Sequence, residues 1–135
     1  MWRLIPLHKY RKIYCASIRL RSKKPKSLDL GSSPAEELKK AVKRAGKTVQ
    51  EEIQSNAPVK SGRYFKSWKT KIISEDGTSI ELVVYSKDRY MLAHLLENGH
   101  AKRGGGRVKA IPHIKPAEEK GIRQLEQDLN EALKA

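Results

Sequence analysis

Hydrophobic residues along this chain fall into two regular spacings, one helical and one strand-like. Leu38, Val42 (with Ala41), Ala45, Val49 and Ile53 recur at helical spacing, with Lys39, Lys40, Lys43, Lys47 and Glu51 on the opposite side. This predicts an amphipathic helix over residues 35–56. Ser33 as N-cap, Pro34 at the first helical position and Glu36 three residues after Ser33 form its start signal. Pro58 stops it, because the residue before a proline disfavours helical geometry. A second stripe, Ile122, Leu125, Leu129 and Leu133 (with Ala132), predicts a terminal helix opened by Pro116. Glu118 and Glu119 complement its positive end, and Gly121 weakens it slightly.

Between the helices the period changes to two. Trp68, Thr70 and Ile72 alternate with Lys69 and Lys71, and Ile80, Leu82 and Val84 alternate around Glu81. Strands are therefore predicted over 66–73 and 79–86, each with one buried and one wet face. Glu75-Asp76-Gly77-Thr78 is the hairpin turn, with Gly77 able to take positive φ. Tyr90, Ala93, His94 and Glu97 return to helical spacing, and Gly99 can end that short helix. Residues 110–114 predict a further short strand, which Pro112 confines to a sheet edge. The expected fold is α+β. A small antiparallel sheet, the hairpin plus a short edge strand, packs with an N-terminal and a C-terminal amphipathic helix.

Charge adds an uneven distribution. The chain has 135 residues, a formal net charge of +14 and a sequence pI of about 10.0. Residues 1–34 hold nine Lys or Arg and one acid, Asp29. Residues 22–33 have the Lys, Ser, Pro and Gly content of a linker, although 14–20 could form a short strand. The domain plan is thus a basic, flexible arm over 1–33 and one domain over 34–135, enough for a modest core. The second basic region is the loop within 96–116. It carries Lys102, Arg103, Arg107, Lys109 and Lys115 around Gly104-Gly105-Gly106, with no acid after Glu97. It reads as a mobile surface loop or as a contact surface that orders against a partner. The balance favours polyanions or acidic protein faces. No run approaches the ~20 apolar residues of a membrane-spanning helix, so no membrane partner is expected.

Candidate chemistry is sparse. Cys15 is the only cysteine, which excludes an internal disulfide and a cysteine-based zinc site. His94, His100 and His113 lack the paired spacing of a helical zinc motif. Glu97 and Asp88 with a histidine do not form a metal-binding pair suited to a nuclease. The three glycines lack the Gly-Lys-Ser/Thr ending of a phosphate loop. Tyr64, Phe65, Trp68 and Tyr85 could stack single-stranded bases, but alternating aromatics are more commonly core or interface residues. No enzyme activity, metal or cofactor is expected.

Three blocks carry a resemblance. Ala57-Pro58-Val59-Lys60-Ser61-Gly62-Arg63-Tyr64-Phe65-Lys66-Ser67 resembles the Ala-Pro-x-x-Ser/Thr-Gly-x-Leu-x-x-Ser signature of a bacteriophage tail-component family. Its members are head–tail joining, or neck, proteins of long-tailed phages and prophages. The segment from Tyr90 through Glu97 and Gly99 to His100 resembles its Tyr-Ala-x-x-Val/Leu-Glu-Phe/Tyr-Gly-Thr/His block. Ala110-Ile111-Pro112-His113-Ile114-Lys115-Pro116-Ala117 resembles its Arg-Pro-Phe-Leu-Arg-Pro-Ala block. Tyr64 stands where the family usually has leucine, Met91 and Leu92 alter the tyrosine spacing, and nothing about the arm carries over.

The resemblance covers residues 35–135. It implies a structural subunit, without catalytic site or cofactor, that joins or completes the tail as part of a homo-oligomeric ring. Its partners would be other connector and tail proteins. Its location would be the virion, with assembly in the host cytoplasm. Lys102, Arg103, Arg107 and Lys109 would contact another ring, a tail subunit or, non-specifically, viral DNA. Charge alone supports a different class, a basic module that binds DNA or RNA without sequence preference.

Overall fold

The computed structural model describes residues 17–23, 32–77 and 79–134. The elements run β1 (Ser17–Lys23), α1 (Ser32–Asn56), α2 (Arg63–Lys66), β2 (Trp68–Glu75) and β3 (Ser79–Ser86). They continue as α3 (Tyr90–Asn98), β4 (His100–Ala101), β5 (Arg107–Val108) and α4 (Ile114–Lys134). The class is α+β, as the two periodicities require.

The predicted hairpin forms, with β3 over the expected residues and β2 displaced to Trp68–Glu75. Residues 63–66 wind into the short α2 instead of opening the strand. Both strands lie in an antiparallel sheet of order β1-β3-β2. Ser17–Lys23, within the segment expected as an arm, pairs along the full length of β3. Residues 1–16 and 24–31 of that arm, including Cys15, lie outside the described residues.

The central position of β3 corrects its expected wet face. Glu81 and Val83 are buried together with Ile80, Leu82 and Val84 on this central strand. The edge strand β2 differs in the opposite direction. Only Trp68 is fully buried there, and a register break after Ile72 leaves Ile72 and Ile73 exposed. Gly77 does not take positive φ; the turn closes through Asp76 N–H donating to the Ser79 carbonyl at 2.8 Å.

α1 lies across the sheet with Ala41, Val42, Ala45, Val49 and Ile53 buried, as its spacing predicts. The helix is described from Ser32, one residue before the expected N-cap Ser33. At Gly46 the missing side chain admits Leu82 of β3, whose Cδ2 lies 2.5 Å from where a Cβ would stand. α4 packs along α1 and makes its extended contact there, not on the sheet. The pairs Lys120–Glu52 and Arg44–Asp128 run in opposite chain directions, so the two helices are antiparallel.

The buried stripe of α4 also differs from the expected one. It runs Ala117, Gly121, Leu125 and Asp128, while Leu133 is exposed. Gly121 sits against Val49, and a Cβ there would collide with that side chain. Its lack of a side chain therefore brings the helices together, outweighing the small loss in helix propensity. No strand forms over 110–114; the second sheet is the β4–β5 ribbon inside the glycine loop. Among the described residues no helix is long and apolar enough to cross a membrane.

Candidate functional site

The three sequence blocks, far apart in the chain, converge where α2, α3 and the start of α4 meet. The first block turns at Gly62, whose φ of 71° favours glycine, and leads directly into α2. Ala57 is buried at the end of α1, Pro58 is half-buried, and Ser61 is exposed. Tyr64, one turn on, is buried and packs edge-on to Trp68 with ring centroids 6.1 Å apart. Ser67 Oγ donates to the Tyr64 carbonyl at 2.6 Å, which only accepts. The hydroxyl of Ser86, 2.7 Å away, must therefore donate to Ser67. Lys87 N–H donates to the Ser67 carbonyl at 2.9 Å. The signature thus ties the end of α1 to the end of β3.

The second block is α3. Tyr90 opens it half-buried, Ala93 is its one buried residue, and Gly99 ends it at φ 70°. A Cβ on Gly99 would lie 2.5 Å from the Val108 carbonyl, so glycine lets the ribbon return against the helix end. Glu97 reaches across to α4. Its Oε2 accepts from the backbone N–H of His113 at 2.8 Å and of Ile114 at 2.9 Å. Its Oε1 accepts from Lys115 N–H at 3.0 Å.

A helix start leaves four N–H groups without intrahelical partners. Here Glu97 satisfies those of Ile114 and Lys115, and Pro116 has none to satisfy. The carboxylate also sits at the positive end of α4. Burial raises the pKa of Glu97, but the three backbone donors outweigh it and hold the carboxyl below its ordinary value.

The third block supplies the buried partner. His113 is fully buried. Its Nδ1 lies 2.7 Å from the Ile111 carbonyl and 3.2 Å from Glu97 Oε2, so Nδ1 carries a proton. In that tautomer Nε2 accepts from the Tyr64 hydroxyl at 2.7 Å. Burial pushes the Tyr64 phenol up to about 12, so it stays a donor. Tyr64 stands at the leucine position of the first block and His113 at the phenylalanine position of the third. Two departures from the apolar pattern have thus become one hydrogen-bonded pair. Sequence reading noted Tyr64 as a departure but assigned no role to His113; 49 residues separate the two.

This junction sets the root of the β4–β5 ribbon, where His100 pairs with Val108 and Ala101 with Arg107. Its tip closes by Lys102 N–H donating to the Gly106 carbonyl at 3.0 Å and Gly105 N–H to the Lys102 carbonyl at 3.2 Å. Gly105 and Gly106 hold φ of 93° and 81°. Lys102, Arg103, Arg107 and Lys109 are all exposed on this ribbon, and Pro112 and Pro116 are exposed beyond it. His94 and His100 do not join His113, and among the described residues no three His, Cys, Asp or Glu group as metal ligands.

The aromatic residues divide. Tyr64 and Trp68 belong to the core, with Phe65 partly buried against it. Exposed large apolar side chains lie elsewhere: Met91 and Leu92 on α3, Ile111 beside α3, Ile72 and Ile73 on β2, Val59 before α2 and Leu133 on α4. Ile111 N–H donates to the Leu96 carbonyl at 2.7 Å, which fixes it at the end of α3.

A family model described as "Bacteriophage HK97-gp10, putative tail-component" matches residues 29–99, just over half of the chain. The match runs from before α1 through Gly99 and includes the first block and the second up to Gly99; the ribbon, the proline block and α4 lie beyond it. Neither the curated proteins nor the solved structures give a match.

Proposed function

Because this chain belongs to the bacteriophage HK97-gp10-like tail-component family, we propose that it joins or completes the tail at the head–tail interface as a subunit of a homo-oligomeric ring. A phage tail component is a structural protein of the virion, in contact with other phage structural proteins, and the family is not an enzyme class. Connector and neighbouring tail proteins are the partners of this reading.

The observation that carries the ring is a pair of unlike exposed apolar surfaces. α3 is apolar at most positions yet buries only Ala93, leaving Met91 and Leu92 exposed near its start, with Ile111 exposed near its end. A helix of that composition is ordinarily covered. The other surface is the edge of β2, unpaired among the described residues, with Ile72 and Ile73 exposed on it. A heterologous contact joins two different patches and generates a ring when the rotation closes. Two patches on separate elements fit that requirement.

Purified alone and with its adjacent tail proteins, the chain should give a closed oligomer by mass photometry and electron microscopy. Met91→Asp or Ile73→Lys should leave folded monomers. Monomers of the native chain in every combination would overturn the ring.

A further inference from the structure

We propose that the outward face of the β4–β5 ribbon is a contact surface for the phosphate backbone of duplex DNA. Strand pairing places Ala101 opposite Arg107 on one face and His100 opposite Val108 on the other. His100 and Val108 are half-buried, whereas Ala101 and Arg107 are exposed, so the Ala101–Arg107 face is the outer one. Arg103 and Lys109 flank that face and are exposed too. No acid occurs from Asn98 to Ala117.

The charge on this ribbon is also uncommitted. Lys39, Lys40, Lys43, Arg44 and Lys47 of α1 each have a carboxylate within 4.0 Å. Among the described residues no carboxylate lies so near Lys102, Arg103, Arg107 or Lys109, and the ribbon is held by backbone bonds alone. The cations are therefore presented on a preformed support at little ordering cost. Arginine adds forked donors that match phosphate oxygens.

The composition of the face selects among polyanions. It has no aromatic side chain, which single-strand binding uses for stacking. It has no large apolar anchor either, and protein interfaces place such anchors at their centres. Alanine, glycine, arginine and lysine on a two-stranded ribbon suit a duplex, whose major groove admits such a ribbon. Contacts of this kind position the protein without reading sequence. That the duplex is the viral genome rests on the tail-component reading; the phosphate contact does not.

The test is fluorescence anisotropy of the full chain on a random-sequence duplex, titrated at ~50–300 mM salt. Arg103→Gln, Arg107→Gln and Lys109→Gln are combined in one variant. A control variant removes equal charge elsewhere, at the exposed Lys60, Lys66 and Lys87. The ribbon variant should lower the slope of log affinity against log salt by about 2.7, near 0.9 per lost phosphate contact. The control should lower it by less than about 1. Equal effects of the two variants, or no duplex binding by the native chain, would overturn the proposal. So would ribbon-dependent binding confined to an acidic protein. A ring that binds no duplex overturns this inference alone; duplex binding by a persistent monomer overturns the ring alone.

Discussion

Glu97→Ala removes a carboxylate that accepts from three backbone N–H groups at 2.8, 2.9 and 3.0 Å. Loss of an ordinary N-cap side chain costs about 0.5–2 kcal/mol, and a hydrogen bond to a charged group contributes about 1.5–3 kcal/mol. Lys115 is exposed, so water replaces its lost partner. His113 is buried and Ile114 half-buried, so their N–H groups are replaced poorly. Two incompletely replaced donors give a loss of about 3 kcal/mol, or about 10 °C in Tm for a chain of this size. Glu97→Gln keeps one acceptor oxygen and should lose about 1–2 kcal/mol.

The sign of the pH dependence follows from the lowered pKa. The folded carboxyl titrates below its ordinary 4.5, so its stabilisation is complete above that value. It is lost as the pH falls through the folded value, and Glu97→Gln should flatten this acid limb. Chemical unfolding across pH measures both effects. A Glu97→Ala loss below about 0.5 kcal/mol, or an unchanged acid limb in Glu97→Gln, would refute a capping role.

The Tyr64–His113 pair should show strong coupling. Tyr64→Leu and His113→Phe should each cost about 2 kcal/mol, and the double variant should recover about 1–2 kcal/mol relative to their sum in a thermal-unfolding cycle. Gly121→Ala should destabilise by about 1–3 kcal/mol through collision with Val49, read as a lower urea midpoint. Gly99→Ala combines a φ of 70° with an approach to the Val108 carbonyl. It should cost about 2–4 kcal/mol and raise hydrogen exchange in the ribbon.

Elements with a local period were legible in the sequence. α1, α3, β3 and α4 fall close to their predicted spans because their hydrophobic spacing repeats over two or more turns or alternations. The class and the family resemblance followed from those elements and from the block order. What escaped depends on contacts distant in sequence. The short strand allowed over 14–20 forms over 17–23, but its place beside β3 rests on pairing distant in sequence. The stripe on α4 was misplaced because Gly121 reads as a weak helix residue, although its absent side chain makes the α1 contact.

At the junction, Gly99 was legible as the end of α3, whereas Glu97 was marked by pattern but not by role. The donors that Glu97 satisfies lie 16 to 18 residues away, beyond any local capping signal. The glycine loop reads from sequence as a mobile loop or a contact surface; its turn closes through backbone bonds that side-chain composition does not encode. The four cations named from the sequence are on the ribbon and exposed, which their charge and loop position indicated.

The head–tail joining role is tested most directly by imaging particles from a lysogen or infection in which this chain is deleted. The predicted result is filled heads separate from tails, or tails with an unfinished head-proximal end, rescued by the native chain. Intact, infectious particles without the chain would contradict it.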